Sequence, residues 1–147
     1  VQPIKIIYGT ETDTAMGLAE ELSDALQAAG LSSQALDMQD VDVPALAEDG
    51  IVLVVTSTYG NGDPPFNARA LLESLRTAEG AALAKTKFAV FGLGDSTYPK
   101  FCQCGRDFDA QFELLGAQRI LPRVDADGDP CDLFEAWQKE IVGVLAN

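Results

Sequence analysis

The stretch IKIIYGTETDTAMGLAEELSDALQAAG, residues 4–30, reads as a buried strand that runs through a hydroxyl-rich turn into a helix. Residues 4–8 are mostly apolar and β-branched, the pattern of a strand covered on both faces. Beyond the turn, Ala15, Leu18, Ala19, Leu22, Leu26 and Ala29 recur at helical spacing, and Gly30 stands where a helix end favours left-handed dihedrals. The turn places Thr10, Thr12 and Thr14 at alternate positions just ahead of the helix. Backbone N–H groups at a helix N-terminus suit an anion, the helix dipole helps, and threonine hydroxyls add donors. A monophosphate fits this description, and so does a plain turn in which Thr12 or Asp13 caps the helix. Glu11 and Asp13 put carboxylates inside the same loop, which an anion site would have to accommodate.

The same alternation continues along the chain. IVLVVTS (51–57) and KFAVFGLG (87–94) read as further central strands, and SQALDM (33–38) and AQRILPRV (117–124) as outer ones, with Pro122 suiting an edge. Ala68, Leu71, Leu72 and Leu75 mark a second helix; Phe108, Phe112 and Leu115 mark a third, closed by Gly116. Leu133, Phe134, Trp137, Ile141, Val144 and Leu145 mark the last, and their spacing assigns Trp137 to its apolar face rather than to a ligand. This order predicts an α/β fold, a doubly wound five-stranded parallel sheet with helices on both faces, in one domain over residues 1–147. In such sheets ligands bind beyond the carboxyl ends of the strands, here the loops 9–15, 57–66, 92–102 and 124–130.

Composition narrows the function classes. Ten basic residues against 23 acidic ones, with no histidine, give a net charge of −13, which disfavours nucleic acid and anionic membranes and suits either a basic protein partner or plain solubility. No apolar run reaches the length of a membrane span, and the first residues lack a signal-peptide pattern, so a cytoplasmic protein is expected. Cys102, Cys104 and Cys131 are too few for a disulfide scaffold and, without histidine, for a usual zinc site. DADGDPCD (125–132) begins like a calcium loop but carries its glycine at the fourth place, and reads as a turn before the last helix.

Two further loops carry chemistry. STYGNGDPPFN (57–67) follows an irregular path set by Gly60, Gly62, Pro64 and Pro65, with Tyr59 as a flat ring at its start. FGLGDSTYPKFC (91–102) contains G-x-G-x-x-T, but it lacks the third glycine and follows the wrong strand for a dinucleotide fingerprint. It adds a second ring, Tyr98, at the same edge of the sheet, and two rings can sandwich one flat heterocycle.

Together YGTETDTA, STYGNGDPP and FGLGDSTYPKFC resemble the three FMN-binding loops of flavodoxin-like proteins, most nearly the flavin domain of diflavin reductases of the sulfite reductase type and stand-alone MioC-type flavoproteins. The resemblance implies a three-layer fold with strand order 2-1-3-4-5 and FMN as cofactor. It implies that Thr10, Glu11, Thr12, Asp13, Thr14 and Ala15 hold the phosphate and that Tyr59 and Tyr98 stack on the flavin ring. Ser57, Thr58, Gly60, Asn61 and Gly62, with Leu93, Gly94, Asp95, Ser96, Thr97, Phe101 and Cys102, would complete the ring site. It further implies that the Gly60–Asn61 peptide rotates to accept a hydrogen bond from flavin N5–H. Carboxylates around the ring such as Asp63 and Asp95 would lower the second reduction potential, and equally suit turn capping or the steering of a partner. Asp13 replaces the family's usual glycine, which is tolerable if the turn needs positive φ there.

The function implied is FMN-dependent electron transfer with no general acid or base, passing single electrons from an NADPH-dependent flavoprotein reductase to a redox acceptor. The alternatives are an excised FMN domain of a diflavin reductase and a scaffold that has lost FMN. A monomer is expected. A receiver-type signalling module would need acidic residues after the first strand and an aspartate after the third, where this chain has YGT and TSTYG.

Overall fold

The computed structural model describes residues 3–10, 13–47, 50–58, 64–94 and 102–146. Strand β1 (Ile4–Gly9) leads to helix α1 (Thr14–Ala28), then β2 (Ser33–Asp37), a 3-10 turn (Met38–Asp40) and a short α2 (Val43–Leu46). Strand β3 (Gly50–Ser57) follows, then a 3-10 turn (Phe66–Ala68), α3 (Arg69–Thr77), β4 (Thr86–Gly94) and α4 (Gln103–Leu114). Two short strands, β5 (Gln118–Arg119) and β6 (Val124–Asp127), precede α5 (Cys131–Leu145). All pairings are parallel and the order is β2-β1-β3-β4-β5, as expected.

Successive residues of the central strands feed opposite layers, the period-two consequence of the pleat. Ile7, Val54 and Val90 pack with α3 and α4, whereas Ile6, Val55 and Phe91 pack with α1 and α5. Trp137 is 2% exposed and packs on Phe91 and Phe134 at ring separations of 5.3 and 5.7 Å, the core position its spacing predicts. Gly30 and Gly116 take positive φ just past the ends of α1 and α4, also as expected.

Two expectations need correction. The last strand is not one run over 117–124: Gln118–Arg119 pairs with β4 near Phe88, and Val124–Asp127 pairs with β4 again from Phe91 to Gly94. Ile120 N still donates to Phe88 O at 2.8 Å, but Pro122 has no N–H to give, and pairing resumes only after it. On α5, Leu133 and Val144 are 47% and 45% exposed, because the buried stripe of Phe134, Trp137 and Ile141 is narrower than the apolar pattern suggested.

The registers Gly9↔Thr56 and Ser57↔Leu93, with Gly94↔Asp127, bring the carboxyl ends of β1, β3, β4 and β6 to one level. At that level Gly9 is required by space: a Cβ there would lie 2.7 Å from Thr56 Oγ1 and 2.9 Å from Met38 Sδ.

Candidate cofactor site

The first loop leaves β1 under tight control. Thr10 N donates to Asn67 Oδ1 at 2.9 Å, and Asn67 Nδ2 donates to Tyr8 O at 3.3 Å and to Asp37 Oδ1 at 2.9 Å. The loop re-enters regular structure through Asp13, which occupies the N-cap position of α1 with φ 64° and ψ 1°. Positive φ at this non-glycine residue costs about 1 kcal/mol, which aspartate bears better than most. The Asp13 carboxylate is exposed and makes no capping bond, while its carbonyl accepts from Gly17 N at 3.0 Å. Capping by the Asp13 side chain is therefore not its role, and its carboxylate leaves the first-turn amides alone. Thr14 opens the helix and Ala15 is fully buried against the sheet.

Beside this helix start lies a cavity of about 190 Å³, lined by Thr14, Ser57, Thr58, Leu93, Gly94, Gly128 and Pro130. Its walls are held by backbone bonds between strand ends: Thr58 N donates to Leu93 O at 3.1 Å and Gly128 N to Gly94 O at 3.0 Å. Thr58 Oγ1 accepts from Cys104 N at 2.9 Å, which ties the start of α4 to the end of β3. A larger cavity of about 390 Å³ sits at the outer edge of the sheet between α1 and β2, lined by Tyr8, Glu20, Ser23, Asp24 and Ser33 among others. Its buried hydroxyls bond each other, Ser23 Oγ to Ser33 Oγ at 2.8 Å, so the smaller cavity at the strand ends is the better candidate site.

Of the residues expected at the site, Thr14, Ser57, Thr58, Leu93 and Gly94 line this cavity, and Thr10, Asp13 and Ala15 lie on the loop and helix start beside it. Cys102 is fully buried at the N-cap of α4 with φ 54°, its Sγ 3.8 Å from Ala126 O. Burial pushes the Cys102 thiol up to about 12, with Asp125 adding to the shift. Cys104 is also pushed up to about 12 by burial, against a hydrogen bond with Thr56 that lowers it. Glu11, Thr12, Tyr59, Gly60, Asn61, Gly62, Asp63, Asp95, Ser96, Thr97, Tyr98 and Phe101 lie outside the described residues. Sequence reading did not assign three residues that the structure brings to this edge: Asn67, Gly128 and Pro130. For the last two the signal was the loop 124–130 itself, which falls at the ligand-binding edge of such sheets.

No lysine or arginine lines the cavity among the described residues, so the groups presented to an anion are hydroxyls and a helix N-terminus. That donor set fits a phosphate monoester, with Thr14 at the junction of helix and cavity. Three arginines are committed elsewhere. Arg119 forks onto Asp109 with two bonds of 2.9 Å, and Arg123 reaches Asp109 at 3.3 Å and Asp125 at 2.9 Å. Arg106 lies 3.7 Å from Asp125. Two of the four carboxylates of the DADGDPCD segment are thus employed, Asp125 in ion pairs and Asp129 in a turn, where it accepts from Cys131 N at 3.0 Å.

Known proteins resemble this chain over most of its length. The flavodoxin family model matches residues 6–137. The sulfite reductase (NADPH) flavoprotein alpha-component of Zymomonas mobilis is 45% identical over 142 residues, covering 97% of this chain and 23% of that protein. That of Sodalis glossinidius is 44% identical over 143 residues, covering 97% and 24%. The chain therefore spans about a quarter of the length of the curated relatives it matches. Among solved structures, the flavodoxin of Streptococcus pneumonia TIGR4 superposes with a TM-score of 0.80 at 27% identity, covering 97% of this chain and 99% of that one.

Proposed function

We propose, from the premise that this chain belongs to the flavodoxin family, that it is an electron-transfer domain that passes single electrons between a flavoprotein donor and a redox acceptor. FMN is the flavin this family binds. Bound FMN supplies the redox chemistry, and the chain supplies binding, orientation and surroundings. Residues 10–15 would hold the phosphate at the start of α1, where neutral donors and the helix dipole oppose its charge. The cavity walls at Ser57, Thr58, Leu93 and Gly94 would face the flavin, with Tyr59 and Tyr98 as its stacking rings. The observation that carries this reading is the cavity where the carboxyl ends of β3 and β4 meet the first turn of α1.

The donor in this reading is an NADPH-dependent flavoprotein reductase or reductase domain, supported by the names of the curated relatives. A net charge of −13 favours partners with basic docking faces. A second reading, that the chain is the FMN domain of a longer diflavin reductase, is favoured by its match to only 23% of the Zymomonas mobilis relative. The visible spectrum of the purified protein tests the function: flavin absorption with quenched fluorescence is expected, and a colourless protein that takes up no added FMN refutes it. A donor test follows, in which an NADPH-dependent flavoprotein reductase reduces the loaded protein anaerobically.

A further inference from the structure

We infer that Asn67 is a positioning residue for the phosphate loop, an assignment that rests on the FMN reading above. Asn67 is 9% exposed, and an amide buried to that degree needs its polar atoms matched. They are matched in one orientation only. Oδ1 accepts from Thr10 N, and Nδ2 donates to Tyr8 O and Asp37 Oδ1. Turning the amide over would set Nδ2 against the Thr10 N–H and Oδ1 against two acceptors. Asp37 Oδ1 also accepts from Gln39 N at 2.8 Å, so the carboxylate that orients Asn67 is itself held at the end of β2.

The two backbone groups gripped by Asn67 bracket Gly9, the residue that admits no Cβ. Asn67 thereby sets the direction in which the chain leaves β1 at Thr10, where the phosphate loop begins, while the start of α1 at Asp13 and Thr14 fixes its other end. Asn67 itself sits in the 3-10 turn Phe66–Ala68, where Ala68 N donates to Pro65 O at 2.9 Å. Its side chain bonds to β1, to the first loop and to β2, and none of these bonds goes to Ser57, Thr58, Leu93 or Gly94, so its loss should act on the phosphate and spare the flavin ring.

The test compares FMN with riboflavin, which lacks the phosphate, in the unaltered protein, Asn67→Ala, Asn67→Asp, and Asn67→Asp combined with Asp37→Asn. Both single variants should weaken FMN about tenfold through the freed loop, since Asn67→Ala removes all three bonds and Asn67→Asp the two that Nδ2 donates. Riboflavin affinity should stay within about twofold, since the ring site is not touched. Asp37→Asn should restore part of the FMN affinity lost in Asn67→Asp, because it offers a donor to the new carboxylate. Equal weakening of both flavins, no change in either, or a variant that circular dichroism shows to be unfolded would overturn the inference by making Asn67 structural only. Absence of FMN binding in the unaltered protein is a separate result, which overturns the functional reading itself.

Discussion

Removing the charge of Asp13 should tighten FMN binding while slightly loosening the empty protein. In the structure this carboxylate is exposed, makes no capping bond, and sits at the N-cap of a 15-residue helix whose first turn has no acidic residue. Without ligand it complements the helix dipole by about 0.3–1 kcal/mol. With a phosphate beside the same helix start the two anions compete. Taking roughly 7 Å between them in a water-like dielectric, a dianion loses about 1 kcal/mol to Asp13 at low salt and less than half of that at 0.15 M. Asp13→Asn should therefore strengthen FMN about fivefold near 10 mM salt and about twofold at 0.15 M. It should leave riboflavin unchanged and lower apo-protein stability by about 0.5 kcal/mol. Asp13→Gly should match it in affinity, since it removes the same charge, and in stability the relief of positive φ and the entropy glycine adds to the unfolded chain nearly cancel, each about 1 kcal/mol. Fluorescence titration at the two salt concentrations reads both variants. Unchanged or weaker FMN binding at low salt would refute the electrostatic account, and tightening in Asp13→Gly alone would move the cause to the backbone.

Two other outcomes are expected. At pH 8 the native protein should present one reactive thiol, the exposed Cys131, and denaturant should release all three, because burial holds Cys102 and Cys104 protonated up to about 12. Their folded values lie above the ordinary 9.0, so the stability they contribute is intact below pH 9 and is lost as pH rises toward 12. Thiol counting with a chromogenic disulfide and urea midpoints above pH 9 check both statements. Trp137→Phe should change stability by no more than about 1 kcal/mol, since the lost packing is offset by removing an N–H. That N–H, Trp137 Nε1, finds no acceptor among the described residues. Trp137→Ala should cost about 3–5 kcal/mol in urea unfolding, and the flavin spectrum should be unaltered in the phenylalanine variant.

The central strands were legible because residues such as Val52–Val55 and Phe88–Phe91 are covered on both faces, and a doubly covered strand shows as an unbroken apolar run. At Asp13 the glycine it replaces raised positive φ only as a condition, and the structure meets that condition with φ 64°. Position 67 was not, because a buried asparagine is decided by a junction of three chain segments that no local pattern encodes. The division of the last strand was only half legible: Pro122 marked an edge, but a two-residue strand is defined by its partner β4 rather than by its own side chains. Leu133 and Val144 misled for a related reason, since an apolar residue on the flank of a helix costs little when it stays wet.

The broken strand beside β4 also decides what else can join the sheet at this edge, the one opposite β2. An open, straight strand is a template for a strand from another molecule, and aggregation often starts there. Here a visitor would find two paired residues, an interruption at Pro122, and then four more residues next to arginines already closed into ion pairs with Asp109 and Asp125. Little uninterrupted ladder is on offer. For a domain proposed to meet redox partners face to face, an edge that refuses strand addition keeps those encounters reversible.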